Sequence, residues 1–274
     1  MITLLKIEWL KVKNYTAFKL LAIFFAVGVL VVNYAVYAFN KNVLSNTAGA
    51  AILSSFNPYN FSNTWQSTSY TTGYLLILPA MLIIILITNE YTFRTSRQNV
   101  IDGWSRDEFI TVKLVIALII AMVSTLLVIL TAMGFGLFSG SDFSINKFSH
   151  VGFFFLKALS YNMFAVLIAV LIKKTGFAIG LYFIYMGAEN FLSQMLDIGS
   201  IKLKLSTGKD FGSVGDYLPM NASDGLLTFP DNPLKSLARK ALPTEYFWIV
   251  FSCAIVYLLI FIWWSRKKYL QADL

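Results

Sequence analysis

Blocks of about twenty apolar residues in a row leave a chain little choice of fold. A bilayer core is about 30 Å thick and a helix rises about 1.5 Å per residue, so each such block can cross it once. Six blocks qualify, at 20–39, 73–88, 112–137, 151–172, 177–196 and 246–264. Only 13% of the residues are charged, about half the share of a soluble domain. The expected fold is therefore an all-α membrane protein of six transmembrane helices. A single cysteine (Cys253) and a single histidine (His150) exclude a disulfide framework and a zinc site built from several Cys or His ligands.

The first block follows a basic stretch, yet it is longer than the roughly 7–15 apolar residues of a signal peptide. It also lacks a convincing small-residue cleavage site, so it reads as an uncleaved span. Orientation follows from Lys and Arg in the short connections. With six spans one side holds Lys6, Lys11, Lys13, Lys19, Arg94, Arg97, Arg106, Lys113, Lys173, Lys174, Arg266, Lys267 and Lys268; the short loops opposite hold Lys41 and Lys147. Both termini are thus expected in the cytoplasm, with the chain in a bacterial inner membrane. The net charge of +8 is accounted for by this pattern and by anionic headgroups, without nucleic acid.

Residues 1–19 place Ile2, Leu5, Trp9 and Val12 at helical spacing among four lysines, the pattern of an amphipathic helix lying in the interface. Residues 40–72 read as a polar outer loop and 197–245 as a large outer connection broken by glycines and prolines. Within the latter, 232–242 has the spacing of a short helix. Neither piece approaches the roughly 100–150 residues of a typical soluble domain. No phosphate-binding loop is present: Gly208-Lys209 lacks the earlier glycine and is followed by Asp210. Pro79 is expected to distort span two.

The cytoplasmic connection 89–113 carries the most information. Thr95-x-x-Gln98 and Ser105-x-x-Glu108 are tandem capping boxes, in which the hydroxyl accepts from the main chain three residues on and the Gln or Glu reaches back. Gly103 lies where a left-handed residue would end the first helix. Asp107 and Glu108 fall in the first turn of the second, where acidic groups suit the helix dipole. The spacing predicts a two-turn helix over 95–102, parallel to the membrane and surrounded by Arg94, Arg97 and Arg106.

Glu90, Arg94, Thr95, Gly103, Ser105, Arg106, Phe109 and Lys113 form a pattern that resembles the coupling-helix region of type-2 ABC transporter permeases. Trp104 stands where such permeases often carry a small residue. The amphipathic start, the six spans and the large outer piece before the last span resemble that family as well. The resemblance implies an exporter's permease subunit, working as a dimer with a second copy or a homologue. It would dock two separate ABC ATPase subunits through residues 90–110, at Glu90, Arg94, Thr95, Arg97, Gln98, Gly103, Ser105, Arg106 and Glu108. ATP and magnesium would sit on the partner ATPase, with no cofactor, metal or catalytic residue in this chain.

Ionisable groups inside a bilayer are costly and each is a functional candidate. Lys157 and Glu189 fall at similar depth in the outer half of the fourth and fifth blocks, near Asn162, Asn190 and Gln194. Two readings stand: a neutralising Lys157–Glu189 pair that packs the helices, or a polar patch lining a substrate exit. An ion-driven transporter or a non-transporting scaffold subunit remain alternatives to the ABC permease.

Overall fold

A computed structural model describes residues 2–46, 57–93, 95, 103–231, 244 and 246–271. Among them the regular elements are all helical. The order is α1 (Ile2–Val12), α2 (Thr16–Asn46), α3 (Phe61–Gly73), a 3-10 turn (Tyr74–Leu76), α4 (Ile77–Thr92), α5 (Arg106–Phe138), α6 (Ser149–Ile172) and α7 (Thr175–Thr207). A second 3-10 turn (Val214–Tyr217), α8 (Asn221–Asp224) and α9 (Phe247–Gln271) complete it.

Among the described residues five stretches are long and apolar enough to cross a membrane: Thr16–Asn42, Phe61–Thr92, α5, α6 and α9. The fifth expected block, 177–196, is not among these five. Its residues lie in α7, a helix of 33 residues whose Glu189, Asn190, Ser193, Gln194 and Asp197 dilute its apolar character. α6 is the hub, 72% buried over its apolar window, whereas α2 is only 17% buried. Phe24, Val27, Leu30, Val31 and Tyr34 of α2 are exposed, a continuous apolar face that water would not tolerate and lipid would.

The expected loop 40–72 is corrected too. α2 runs on to Asn46, and the polar run Phe61–Gly73 is helical and buried. Two of its hydroxyls turn back onto nearby main chain, Thr64 Oγ1 to Asn60 O at 2.9 Å and Thr71 Oγ1 to Ser67 O at 2.8 Å. That satisfies them without water. Trp65 Nε1 donates to Ser144 O at 2.8 Å and Phe61 N to Ser141 Oγ at 2.9 Å, which ties α3 to the α5–α6 connection. The 3-10 turn Tyr74–Leu76 lies just before Pro79. Proline has no N–H for the carbonyl of Leu75 and its ring crowds that carbonyl, so the helix tightens there.

Candidate functional site

The connection between α4 and α5 is anchored at both limbs. At the start of α5 the second capping box is formed: Ser105 Oγ accepts from Glu108 N at 3.1 Å and Glu108 Oε2 accepts from Ser105 N at 2.9 Å. These bonds hold the Glu108 carboxyl below its ordinary value. A depressed carboxylate contributes stability above its unfolded value and loses it as pH falls through the folded one, so this cap weakens in acid. Ser105→Ala should cost about 1 kcal/mol, read as a lower thermal midpoint at neutral pH. The loss should shrink in acid, where Glu108 no longer accepts.

Gly103 has φ of +98°, the left-handed geometry expected of a helix stop. Thr95 Oγ1 donates to Glu90 O at 3.4 Å. The predicted helix 95–102, apart from Thr95, lies outside the described residues, as do Arg94, Arg97 and Gln98. The C-terminal end of α9 braces α5: Arg266 Nε donates to Asp107 at 2.8 Å, Arg106 to Leu270 O at 3.4 Å, and Phe109 stacks on Tyr269 at 4.9 Å.

Directly above this loop lies a buried ionic cluster. Lys113 on α5 pairs with Glu90 at the end of α4 (2.7 Å) and with Glu8 of α1. Lys11 pairs with Glu8 at 2.8 Å and with Glu90 at 3.1 Å. Glu8, Glu90 and Lys113 are 3%, 7% and 3% exposed. Two carboxylates and two ammonium groups thus alternate and cancel, the condition under which buried charge is tolerated. Burial acts to raise the Glu8 carboxyl; the Lys113 and Lys11 ammonium groups reverse that and hold it below its ordinary 4.5. The cluster's contribution is therefore present above that value and lost as pH falls through the depressed one.

Glu8 and Val12 point inward while Trp9 is 59% exposed. Pairing with Lys113 turns the helix so that the acid, not the tryptophan, faces α5.

In the outer half the expected Lys157–Glu189 pair is corrected. Lys157 Nζ lies 3.2 Å from Asp224 Oδ1 and over the rings of Tyr74 and Tyr161 at 5.6 and 5.3 Å. Tyr161 donates to both Asp224 oxygens at 3.0 Å. Glu189 Oε1 instead accepts from Met220 N at 2.6 Å, Asn221 N at 2.8 Å and Asn221 Nδ2 at 3.2 Å. The reason is the connection after α7. Its residues Met220, Asn221, Ala222, Ser223, Leu226 and Leu227 are buried, and α8 packs against α6, α7 and α9. Each charge takes its partner from that segment. Nearby, Asn162 donates to Ala117 O at 3.0 Å, a bond between helices, and Asn190 to Met186 O at 2.9 Å within α7.

The ends of the same connection are stapled by Asp210, which accepts from Lys204 at 2.8 Å and from Thr244 Oγ1 at 2.6 Å. Lys204 and Thr244 hold its carboxyl well below the usual range. The expected helix at 232–242 lies outside the described residues.

Sequence reasoning named Glu90, Lys113, Lys157 and Glu189 but missed Glu8, Lys11, Tyr161 and Asp224 as partners. The signal for Glu8 was available: it is the lone acid among the four lysines of residues 1–19, one turn before Val12. Asp224 carried no comparable signal.

Comparison with curated proteins yields no match. A family model, ABC-2 family transporter protein, matches residues 4–189. The match takes in most of α1, the ionic cluster, the α4–α5 connection and the first half of α7. ABC-2 permeases are non-catalytic membrane subunits whose ATPase activity lies in separate subunits. With its N-terminal helix locked by charge to both limbs of the α4–α5 connection, and with the match covering more than half its length, this chain belongs to the ABC-2 transporter family.

Proposed function

We propose that this chain is the permease subunit of an ATP-driven exporter, docking separate ATPase subunits through residues 90–110 and moving substrate out of the cytoplasm. The observation that supports it best is the ionic cluster. Glu90 and Lys113 close the base of the connection, and Glu8 and Lys11 tie that base to the interfacial helix. A push on the loop from the cytoplasm is then delivered to α4, α5 and α1 together, since groups bound this way move as a unit or separate at high cost.

In this reading α7 crosses the membrane as a sixth span, with Glu189 and Ser193 buried and its exposed apolar residues facing outward. Phe177, Ile184, Phe191 and Met195 of α7 are exposed in the single chain, which suits lipid or a second permease. Both termini lie in the cytoplasm and the membrane is the inner one. Two ATPases serve a permease dimer, and ATP and magnesium bind there.

The decisive experiment isolates the chain from its native membrane and asks whether an ATPase with a phosphate-binding loop, encoded beside it, comes with it. Its absence in gentle detergent and after crosslinking would sink the proposal. Gly103→Val gives a second arm. A β-branched residue at φ +98° is strained, so the loop should distort while no neighbour is struck, since no heavy atom lies within 4 Å of the added carbon. Membrane insertion should be unchanged, and substrate movement per ATP hydrolysed should fall several-fold. Coupling equal to wild type would exclude the loop as the transmission element.

A further inference from the structure

A groove of about 360 Å³ opens between α1, α2, α4 and α5. It runs along α5 from Ile116 to Leu127, about 16 Å at the helical rise of 1.5 Å per residue. That is the hydrocarbon depth of one leaflet, half of the roughly 30 Å of a bilayer core. Glu8 alone among the described lining residues is charged, and Lys11 and Lys113 take its two oxygens. Ser124 Oγ is bonded to Ile120 O at 2.8 Å. The wall thus offers an occupant apolar contact and nothing else.

Charge gathers at one end. Trp9 of α1 and Phe18 of α2 both line the groove and meet edge to face at 6.2 Å. Lys6 and Lys13 stand three residues before and four residues after Trp9, the spacing that shares one side of a helix, and Lys13 N donates to Trp9 O at 2.9 Å. Lys19 follows Phe18 and precedes the groove residue Ala22 by three. All three lysines are exposed, and none has a side-chain hydrogen bond or ion pair among the described residues. The ionic cluster absorbs Glu8, Lys11, Glu90 and Lys113 as a neutral set. Its neighbours Lys6, Lys13 and Lys19 are left as uncompensated positive charge.

We propose that this groove is a binding site for an anionic phospholipid, one acyl chain lying against Phe18, Ala22 and Ile119 and the phosphate held among Lys6, Lys13 and Lys19. Basic side chains at a membrane surface attract anionic headgroups, and the exposed Trp9 suits the headgroup level. A second copy of the chain fits less well. Related by a two-fold axis, it would present the same patch and set lysine against lysine at one depth. The site goes beyond the ATPase reading and does not depend on it.

The test titrates the full chain, in a neutral detergent, with phosphatidylglycerol brominated on one acyl chain and reads quenching of tryptophan emission; phosphatidylcholine with the same chains is the comparison. Each lysine is worth about fivefold, so phosphatidylglycerol should bind about a hundredfold more tightly. Changing Lys6, Lys13 and Lys19 together to Gln should remove that preference and leave phosphatidylcholine binding unchanged. Trp9→Phe should lose most of the quenching, and Ala22→Phe, at an exposed position that narrows the groove, should weaken both lipids several-fold. Equal affinity for the two lipids in wild type, a preference that survives loss of the lysines, or undiminished quenching in Trp9→Phe would each overturn the proposal. So would an Ala22→Phe protein that changes from dimer to monomer in detergent with lipid binding intact, since a second copy would then be the occupant. Should the triple variant fail to fold, wild type, Trp9→Phe and Ala22→Phe still decide it.

Discussion

Replacing Lys113 with methionine is expected to destabilise the protein by about 3–5 kcal/mol, the cost of stripping one partner from a buried ion pair. Lys113 contacts both Glu90 and Glu8, and it is 3% exposed. Its loss leaves two buried carboxylates sharing Lys11, whose side chain is 32% exposed. The methionine fills most of the volume, so the deficit is electrostatic rather than a cavity. The thermal midpoint in detergent measures it. Glu8→Gln combined with Lys113→Met should be milder than the sum of the two single changes, because it leaves Glu90 and Lys11 as a neutral pair. Additive effects across that cycle would mean that Glu8 and Lys113 are not coupled. Lys6→Met, at an exposed position, supplies the control and should shift the midpoint little.

The second large effect is expected at Gly215. A Cβ there would lie 2.3 Å from Ser193 Oγ and 2.6 Å from the Ser193 carbonyl. The hydroxyl can rotate away but the carbonyl is held by α7. Gly215→Val must therefore lift the segment, breaking the 2.9 Å bond from Gly215 N to Asp197 and unseating Met220, Leu226 and Leu227 behind it. Overpacking alone costs about 1–3 kcal/mol, and each large apolar side chain exposed adds about 1.5–3 kcal/mol. Protease sensitivity of 214–229 and a lowered thermal midpoint should appear together. Gly199→Ala is the contrast: the added carbon meets open space, and alanine suits a helix interior better than glycine by about 1 kcal/mol. A Gly215→Val protein as resistant to protease as wild type would show that the segment does not seat as described.

What could be read from the sequence was what covalent spacing fixes. The Ser105–Glu108 box spans three residues, the tightening before Pro79 spans four, and the membrane stretches follow from unbroken apolar composition; none needs a distant partner. The expectation failed where composition was a poor guide to surroundings. Residues 61–73 look like a loop because they are polar, yet most are buried among other helices, and the Thr64 and Thr71 hydroxyls close onto nearby main chain. At α7 the converse holds: Glu189 sits in a helix rich in apolar residues, yet it is buried against the segment packed on it.

The partners of the buried charges were decided by tertiary structure alone. Glu8 meets Lys113 across 105 residues, Tyr161 meets Asp224 across 63, and Glu189 meets Met220 across 31. The sequence marked Lys157 and Glu189 as costly groups, because the price of burying a charge depends only on the group and its medium. Which opposite charge or amide relieves each one depends on where helices far apart in the chain come to rest, and that is set by the packing of many apolar contacts with no local signature.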